Sequence, residues 1–312
     1  MNIQQLEYIV AVDTHRHFVT AAEKCFVTQA TLSIMIKKLE EELDVKIFDR
    51  TKQPVIPTEI GEKVIAQAKI ILQESRKLAE IVKEDQLTIS GELKIGIIPT
   101  LAPYLLPLFL HSFMEKYPLV KLVIHELTTQ EIIHQLKQNT IDVGILATPL
   151  KDEQINEIPL FTEDLFVLDY AQKSNSKKKN YILPKEIDIE KLWLLEEGHC
   201  LRSQIINLCE MKEQQEDNQL VFSTGSIETL KKVVKANNGI TILPNLALNE
   251  LNEQEKKHVF QFKNPAPARE IGLVYYRFFV KERLIKALEN EIILHIPDEL
   301  KSIGNKVILP MD

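Results

Sequence analysis

Residues 18–40, FVTAAEKCFVTQATLSIMIKKLE, carry the pattern that decides the fold of the first part of the chain. Thr20-Ala21-Ala22-Glu23 fits a capping box, a hydroxyl followed three residues later by a carboxylate, and predicts a short helix starting there and ending near Cys25-Phe26-Val27. Thr28 stands where it can cap a third helix of about 15 residues, with Leu32, Ile36, Leu39 and Leu43 on one face. Upstream, Ile3, Leu6, Ile9 and Val10 space their apolar groups at helical intervals over residues 3–14. Downstream, residues 47–57 hold two extended apolar pieces around a polar, proline-marked turn and predict a small β-ribbon. Two helices across a tight turn, followed by a ribbon, make a winged helix-turn-helix.

Such a unit places short polar side chains of its second helix in a major groove about 12 Å wide. Thr28, Gln29, Thr31 and Ser33 occupy that leading turn. Glutamine can pair bidentately with adenine, and threonine can touch a thymine methyl or a base edge. Lys37 and Lys38 further along the helix, with Arg50 and Lys52 on the ribbon, are placed to neutralise phosphate. On spacing alone, a small helical domain with a solvated basic face remains the alternative.

Residues 58–86 read as one long helix, with Ile60, Val64, Ile71, Leu78 and Val82 at three- and four-residue steps around Ala68 and Ser75. A lone helix roughly 40 Å long with an apolar seam wants a partner, and homodimerisation through it is the simple reading. The alternative is packing on its own domain. From Gly91 the chain alternates strands (93–99, 120–126, 142–147, 165–169, 192–195, 221–223, 240–243, 271–275) with helices (104–116, 131–138, 202–212, 227–237, 281–296). That rhythm predicts parallel sheets covered by helices. Residues 172–180, with three consecutive lysines, read as a solvated loop. The expected organisation is a DNA-reading domain over 1–58, a linker helix over 59–88 and an α/β regulatory region over 89–312.

A chain of 312 residues is long enough for two or three cores. No apolar run reaches the roughly 18 residues of a membrane span, and the start, with Glu7 inside it, does not read as a signal peptide, so a cytoplasmic protein is expected. Net charge is −7, and residues 1–58 carry seven Lys/Arg against eight Asp/Glu, so DNA contact must come from charge placed on one face. Three cysteines are too few for a disulfide scaffold and each is by default a small buried hydrophobe, as Cys25 in the short second helix is read.

Cys200 and Cys209 invite a second reading. Cys200, in Gly198-His199-Cys200-Leu201-Arg202, falls at or just before a helix N-terminus, where unpaired N–H groups favour an anion. With His199 and Arg202 adjacent, these effects should lower the thiol pKa and favour a reactive thiolate. If 200–209 is helical, its ends lie about 13 Å apart along the axis, whereas a disulfide needs Cα atoms within about 7 Å. Joining the two would therefore unwind the helix. Two alternatives stay open: inert cysteines beside a cleft for a metabolite, or zinc on His199, Cys200 and Cys209, which lacks a close ligand pair and a clear fourth ligand. Neither metal nor cofactor is expected.

The first 51 residues resemble the winged-helix domain of the LysR-type transcriptional regulators. The resemblance runs through Phe18-x-Thr20-Ala21-Ala22, Thr28-Gln29, Leu32-Ser33, Ile36-x-x-Leu39-Glu40 and Phe48-x-Arg50, and the linker helix and α/β region extend it over essentially the whole chain. Ala30 stands where the family often has proline, and Ile34 where it has a polar or basic residue. The resemblance implies a regulatory region of two periplasmic-binding-protein-like subdomains, about 91–162 with 267–300 and about 163–266, around an effector cleft. It also implies a double-stranded operator, a dimer or tetramer of the chain, RNA polymerase as partner and action as an activator. Within the family, LEEGHCLRSQIINLC, IGIIPTLAPYLLP and HELTTQ are similar to the redox and cleft segments of the hydrogen-peroxide-sensing branch. That implies Cys200 as the peroxidatic and Cys209 as the resolving cysteine, with Thr100, Thr129 and His199 positioning hydrogen peroxide and Arg269 stabilising the reduced site. Lys231 stands where that branch commonly has arginine, keeping the charge without the planar fork. A LysR-type regulator answering an organic effector is the second reading. A thiol peroxidase would leave the DNA-reading domain unexplained, and an exported binding protein lacks an export signal.

Overall fold

A computed structural model describes residues 1–84, 89–171, 181–210, 224–277, 281–301 and 306–310. The chain divides into two compact units, Met1–Leu87 and Thr88–Asp312.

In the first unit, α1 (Ile3–His15) opens on a capping box between Asn2 and Gln5. Helix α2 (Phe18–Lys24) begins two residues before the expected Thr20. The Thr20 hydroxyl instead lies 3.3 Å from His17 Nδ1, inside the helix's first turn, so it caps nothing. Thr28 does cap α3 (Gln29–Glu42), its side chain accepting from the Thr31 amide. The ribbon is β1 (Phe48–Asp49) antiparallel to β2 (Ile56–Pro57). Helix α4 (Glu59–Glu84) follows, 26 residues or about 39 Å long. Its start leans on Ile47, and a Cβ on Gly61 would meet the Ile47 carbonyl oxygen at 2.0 Å, so only glycine fits there.

Much of the seam of α4 packs on its own domain, the alternative reading. Ile65, Ala68 and Leu72 pack into the core with Leu6, Ile9, Leu32, Ile36 and Leu39. One broad apolar face of the helix therefore closes its own domain, with Val64 and Ile71 partly buried against that core and Ile60 and Leu78 exposed at its edge.

The second unit is built on a sheet of nine strands among the described residues. Strands β3 (Gly91–Ile97), β4 (Val120–Glu126) and β5 (Val143–Thr148) are parallel, crossed by α5 (Ala102–Lys116) and α6 (Thr129–Lys137). Beyond them the expectation of parallel sheets holds only in part, because the central pairings are antiparallel. The long strand β6 (Ile155–Asp169) leads into β7 (Tyr181–Ile182), α7 (Cys200–Leu208), α8 (Ile227–Ala236), β8 (Ile240–Pro244) and β9 (Val259–Phe262). The chain then returns through β10 (Ala266–Tyr276), which is antiparallel to both β5 and β6. The first part of β6 pairs with β10 and its last part with β8 and β9, so these two strands are shared by both halves of a mixed sheet. Helices α9 (Glu282–His295) and α10 (Asp298–Lys301) and strand β11 (Lys306–Ile308) complete the unit. Of the expected strand 192–195 only a bridge between Leu192 and Ile240 forms. The expected loop 172–180 and strand 221–223 lie outside the described residues. Among the described residues, no helix is long and apolar enough to cross a membrane.

Candidate functional site

Gly198, at φ +89°, turns the chain in the left-handed region that glycine adopts without strain, and α7 begins two residues later. Cys200 is therefore the first helical residue, with His199 as an N-cap that makes no side-chain capping bond. Cys209 is the C-cap at the other end, and both thiols are free. Helix α7 is thus shorter than the expected 202–212 and starts earlier, which puts both cysteines at its limits.

The Cys200 thiol is not lowered as the local sequence suggests. Burial is the largest influence and pushes it above its ordinary value. Against burial act the Arg269 charge, the Thr129 hydroxyl and the backbone N–H groups of Leu201 and Cys200. The site therefore keeps the resting thiol protonated while holding four groups that favour its anion. Burial alone drives Cys209 up to about 11.

Two of the expected cations are used elsewhere. Arg202 Nη1 donates to the Leu195 carbonyl oxygen at 2.9 Å and has no part in the balance at Cys200. Lys231 Nζ pairs with Glu228 at 2.6 Å, donates to the Ala247 carbonyl oxygen and lies 5.7 Å from the centre of the Tyr104 ring. Glu228 also accepts from Tyr104 Oη at 2.6 Å, and burial with this carboxylate raises the phenol.

Arg269 supplies the charge that reaches Cys200. It is fully buried on β10, opposite Glu163 on β6. Its Nε donates to Glu163 at 2.9 Å, Nη1 to Thr100 Oγ1 at 3.0 Å and Nη2 to the Thr100 carbonyl oxygen at 3.3 Å. Glu163, itself fully buried, also accepts from the Leu246 amide at 2.7 Å. A buried charge needs this saturation of partners to be tolerated. Thr100 is thus tied to Arg269, whereas the buried Thr129 hydroxyl, at the start of α6, is turned to the Cys200 thiol.

His199 lines an open cleft of about 280 Å³ with Pro99, Pro103, Thr128, Gly225 and Ser226. Its Nε2 lies 3.7 Å from Glu196, and a Cβ on Gly225 would approach that nitrogen to 2.9 Å. Glu126, Glu131 and Glu196 also line the cleft, and among the described residues no lysine or arginine does. Sequence reasoning missed Glu163, Glu196 and Gly225. Glu163 sits in the half of β6 whose polar interruptions hide the strand, and its partner is 106 residues away.

In the first unit, the polar residues of α3 divide into two groups. Gln29, Lys37, Lys38 and Lys52 are exposed, Lys37 lying 3.6 Å from Glu41. Thr28 and Thr31 are hydrogen-bonded to each other at 2.9 Å as part of the cap. Arg50, expected on phosphate, donates to Ser33 Oγ and to Glu40 Oε2, both at 3.1 Å, with its guanidinium 5.0 Å from the centre of the Phe18 ring. Glu40 is buried and its other oxygen accepts from the Ile47 and Phe48 amides. Arg50 and Ser33 therefore join ribbon to recognition helix. A concave surface of about 470 Å³ lies beside this clamp, lined by His15, Arg16, His17, Gln29, Arg50 and Lys52.

Two family models match the chain. Residues 3–62 match the bacterial regulatory helix-turn-helix protein of the lysR family, and residues 87–292 match the LysR substrate binding domain. Over 275 residues the chain is 38% identical to the hydrogen peroxide-inducible genes activator of Pectobacterium carotovorum subsp. carotovorum, covering 88% of this chain and 90% of that one. It is also 38% identical to the DNA-binding transcriptional dual regulator OxyR of Escherichia coli (strain K12), covering 88% and 89%. Among solved structures, a full-length OxyR variant from Pseudomonas aeruginosa superposes with a TM-score of 0.78 at 32% identity, covering 95% of this chain and 99% of that one. An H2O2-bound OxyR mutant from Corynebacterium glutamicum gives 0.60 at 29% identity, covering 94% and 92%.

Proposed function

This chain belongs to the LysR family of bacterial helix-turn-helix regulators, and from that premise we propose that it is a DNA-binding transcription regulator that senses hydrogen peroxide through Cys200. One observation carries the reading: a protonated, half-buried thiol faced by an arginine charge, a hydroxyl and two helix-start amides, each of which stabilises its anion. The Thr129 hydroxyl among them is buried beside the sulfur, where it can pass its hydrogen bond to a small oxygen ligand. The acidic lining of the cleft disfavours organic anions and tolerates a small neutral oxidant.

In this mechanism peroxide passes His199 and is held by Thr129. The Cys200 sulfur attacks one oxygen and the O–O bond breaks. The thiol proton, given up to solvent before the attack, is replaced on the departing hydroxide, which leaves as water, with Cys200 now a sulfenic acid. Cys209, nine residues on, resolves it. Its distance along an intact α7 forbids a direct bond, so the second step requires α7 to unwind. A local bond thus becomes a rearrangement that two copies of the chain, paired through the exposed apolar edge of α4, would carry to DNA. We extend the reading to a tetramer on a double-stranded operator, acting in the cytoplasm with RNA polymerase.

Thiol-trapping mass spectrometry on the reduced protein, before and after about one equivalent of hydrogen peroxide, tests the chemistry. A Cys200–Cys209 disulfide is expected within seconds. Because the resting thiol stands above its ordinary value, the oxidation rate should rise about tenfold per pH unit from pH 6 to 8. Two free thiols after minutes, or a rate flat in pH, would count against the assignment.

The DNA-reading unit has its own test. Gln29, Lys38 and Lys52 are proposed to face DNA, with Arg50 acting through the helix it clamps. Arg50→Gln is expected to weaken binding while leaving the slope of log affinity against log salt unchanged. A slope smaller by about 1 would make Arg50 a phosphate contact.

A further inference from the structure

We propose that β11 and Leu309 form a strap that holds α7 in its thiol-state helix and so sets the rate at which Cys200 and Cys209 join. The proposal rests on the redox reading above and concerns its second step.

The strap is bonded to three elements. Strand β11 runs parallel to β10, pairing Lys306 with Ala266, Val307 with Pro267 and Ile308 with Ala268, and the Leu309 amide donates to the Ala268 carbonyl oxygen at 2.9 Å. Lys306 Nζ pairs with Asp164 on β6 at 3.0 Å. Leu309 is buried in the regulatory core, and its carbonyl oxygen accepts from Gln204 Nε2 on α7 at 3.3 Å. These attachments lie one residue from Arg269 on β10 and one from Glu163 on β6.

Gln204 gives the strap its leverage. It sits midway between the two cysteines and is fully buried. A buried amide is tolerated only while hydrogen-bonded, and the Leu309 carbonyl accepts from its Nε2, so losing that bond weakens its hold on the helix. Helix α7 has nine residues and no side-chain N-cap bond, too short to be stable without tertiary contacts. When Cys200 is a sulfenic acid, the Cys209 sulfur must reach it, forming the S–S bond as the S–O bond breaks, with hydroxide leaving and taking the Cys209 proton as water. Closing the gap unwinds the segment at Gln204 and first breaks its bond to the strap.

The two oxidation steps can be timed separately in the full chain. Sulfenic acid formation is followed with a dione trap in a Cys209→Ser background, and disulfide formation by quenched alkylation with both cysteines present. Gln204→Leu is expected to speed the disulfide step about fivefold, the factor of one net hydrogen bond, and to leave sulfenic acid formation within about twofold. Leu309→Ala, outside α7, should act in the same direction, and the double variant should be no faster than the faster single one. Unchanged disulfide rates in both variants, or equal acceleration of both steps, would overturn the strap. Hydrogen exchange of α7 amides in the thiol form gives a readout independent of peroxide. Both variants should exchange faster than the parent chain, and unchanged exchange overturns the strap whatever the peroxide result. A parent chain that forms no disulfide while its variants exchange faster would sink the redox reading and leave the strap standing.

Discussion

Arg269→Ala should lower the stability of the regulatory unit by about 3–5 kcal/mol, the usual cost of stranding one member of a buried ion pair. Neither Arg269 nor Glu163 has any exposed surface, so water cannot replace the lost guanidinium. Glu163 would keep only the Leu246 amide, and Thr100 would lose two donors. Urea unfolding at neutral pH measures the loss. Replacing both partners, Arg269→Met with Glu163→Gln, should recover more than half of it, because no buried charge is then left unpaired. Reactivity should behave differently. Both variants remove the cation that draws the Cys200 thiol downward, leaving burial less opposed. Oxidation at neutral pH should therefore slow on the order of tenfold or more in the single and the double variant alike. If the double variant recovers its oxidation rate along with its stability, Arg269 acts only as scaffold.

Cys200→Ser is expected to abolish the response to peroxide while changing stability by no more than about 1 kcal/mol. A serine hydroxyl occupies similar space but is not ionised at neutral pH and does not open an O–O bond. Cys209 is the informative reporter. Its own thiol is pushed up to about 11 by burial and is a poor nucleophile. In the parent chain peroxide should consume both thiols together. In Cys200→Ser, Cys209 should stay alkylatable after the same exposure, and binding to DNA should retain its strength and salt dependence. Oxidation of Cys209 at the parental rate would reassign the attacking thiol, and loss of all DNA binding would make Cys200 a structural residue.

Much of the fold is legible because short-range regularities carry it. The cap at Thr28, the apolar face Leu32-Ile36-Leu39 and the strand–helix alternation around 120–148 each depend on neighbours within a turn or two. The same holds for the placement of Cys200 at a helix start, which follows from Gly198 and the pattern after it. The capping reading at Thr20 fails for a local reason too, since His17 offers the hydroxyl a partner inside a helix already begun.

The sequence by itself determined the winged helix-turn-helix, the long α4, the alternating regulatory region and the placing of Cys200 at the start of a helix that also carries Cys209. Only the tertiary structure decided which way the long strands run, how much of the apolar face of α4 is covered, what Arg50 and Arg202 hold, and on which side of its ordinary value the Cys200 thiol stands. Periodicity and capping are written in residues a few positions apart. The pairing of Arg269 with Glu163, of Arg50 with Glu40 across the ribbon, and of Gln204 with Leu309 depends on what the folded chain brings alongside. Desolvation is likewise a property of everything packed around a group, so a motif with three anion-favouring features can still hold a protonated thiol once the fold closes over it.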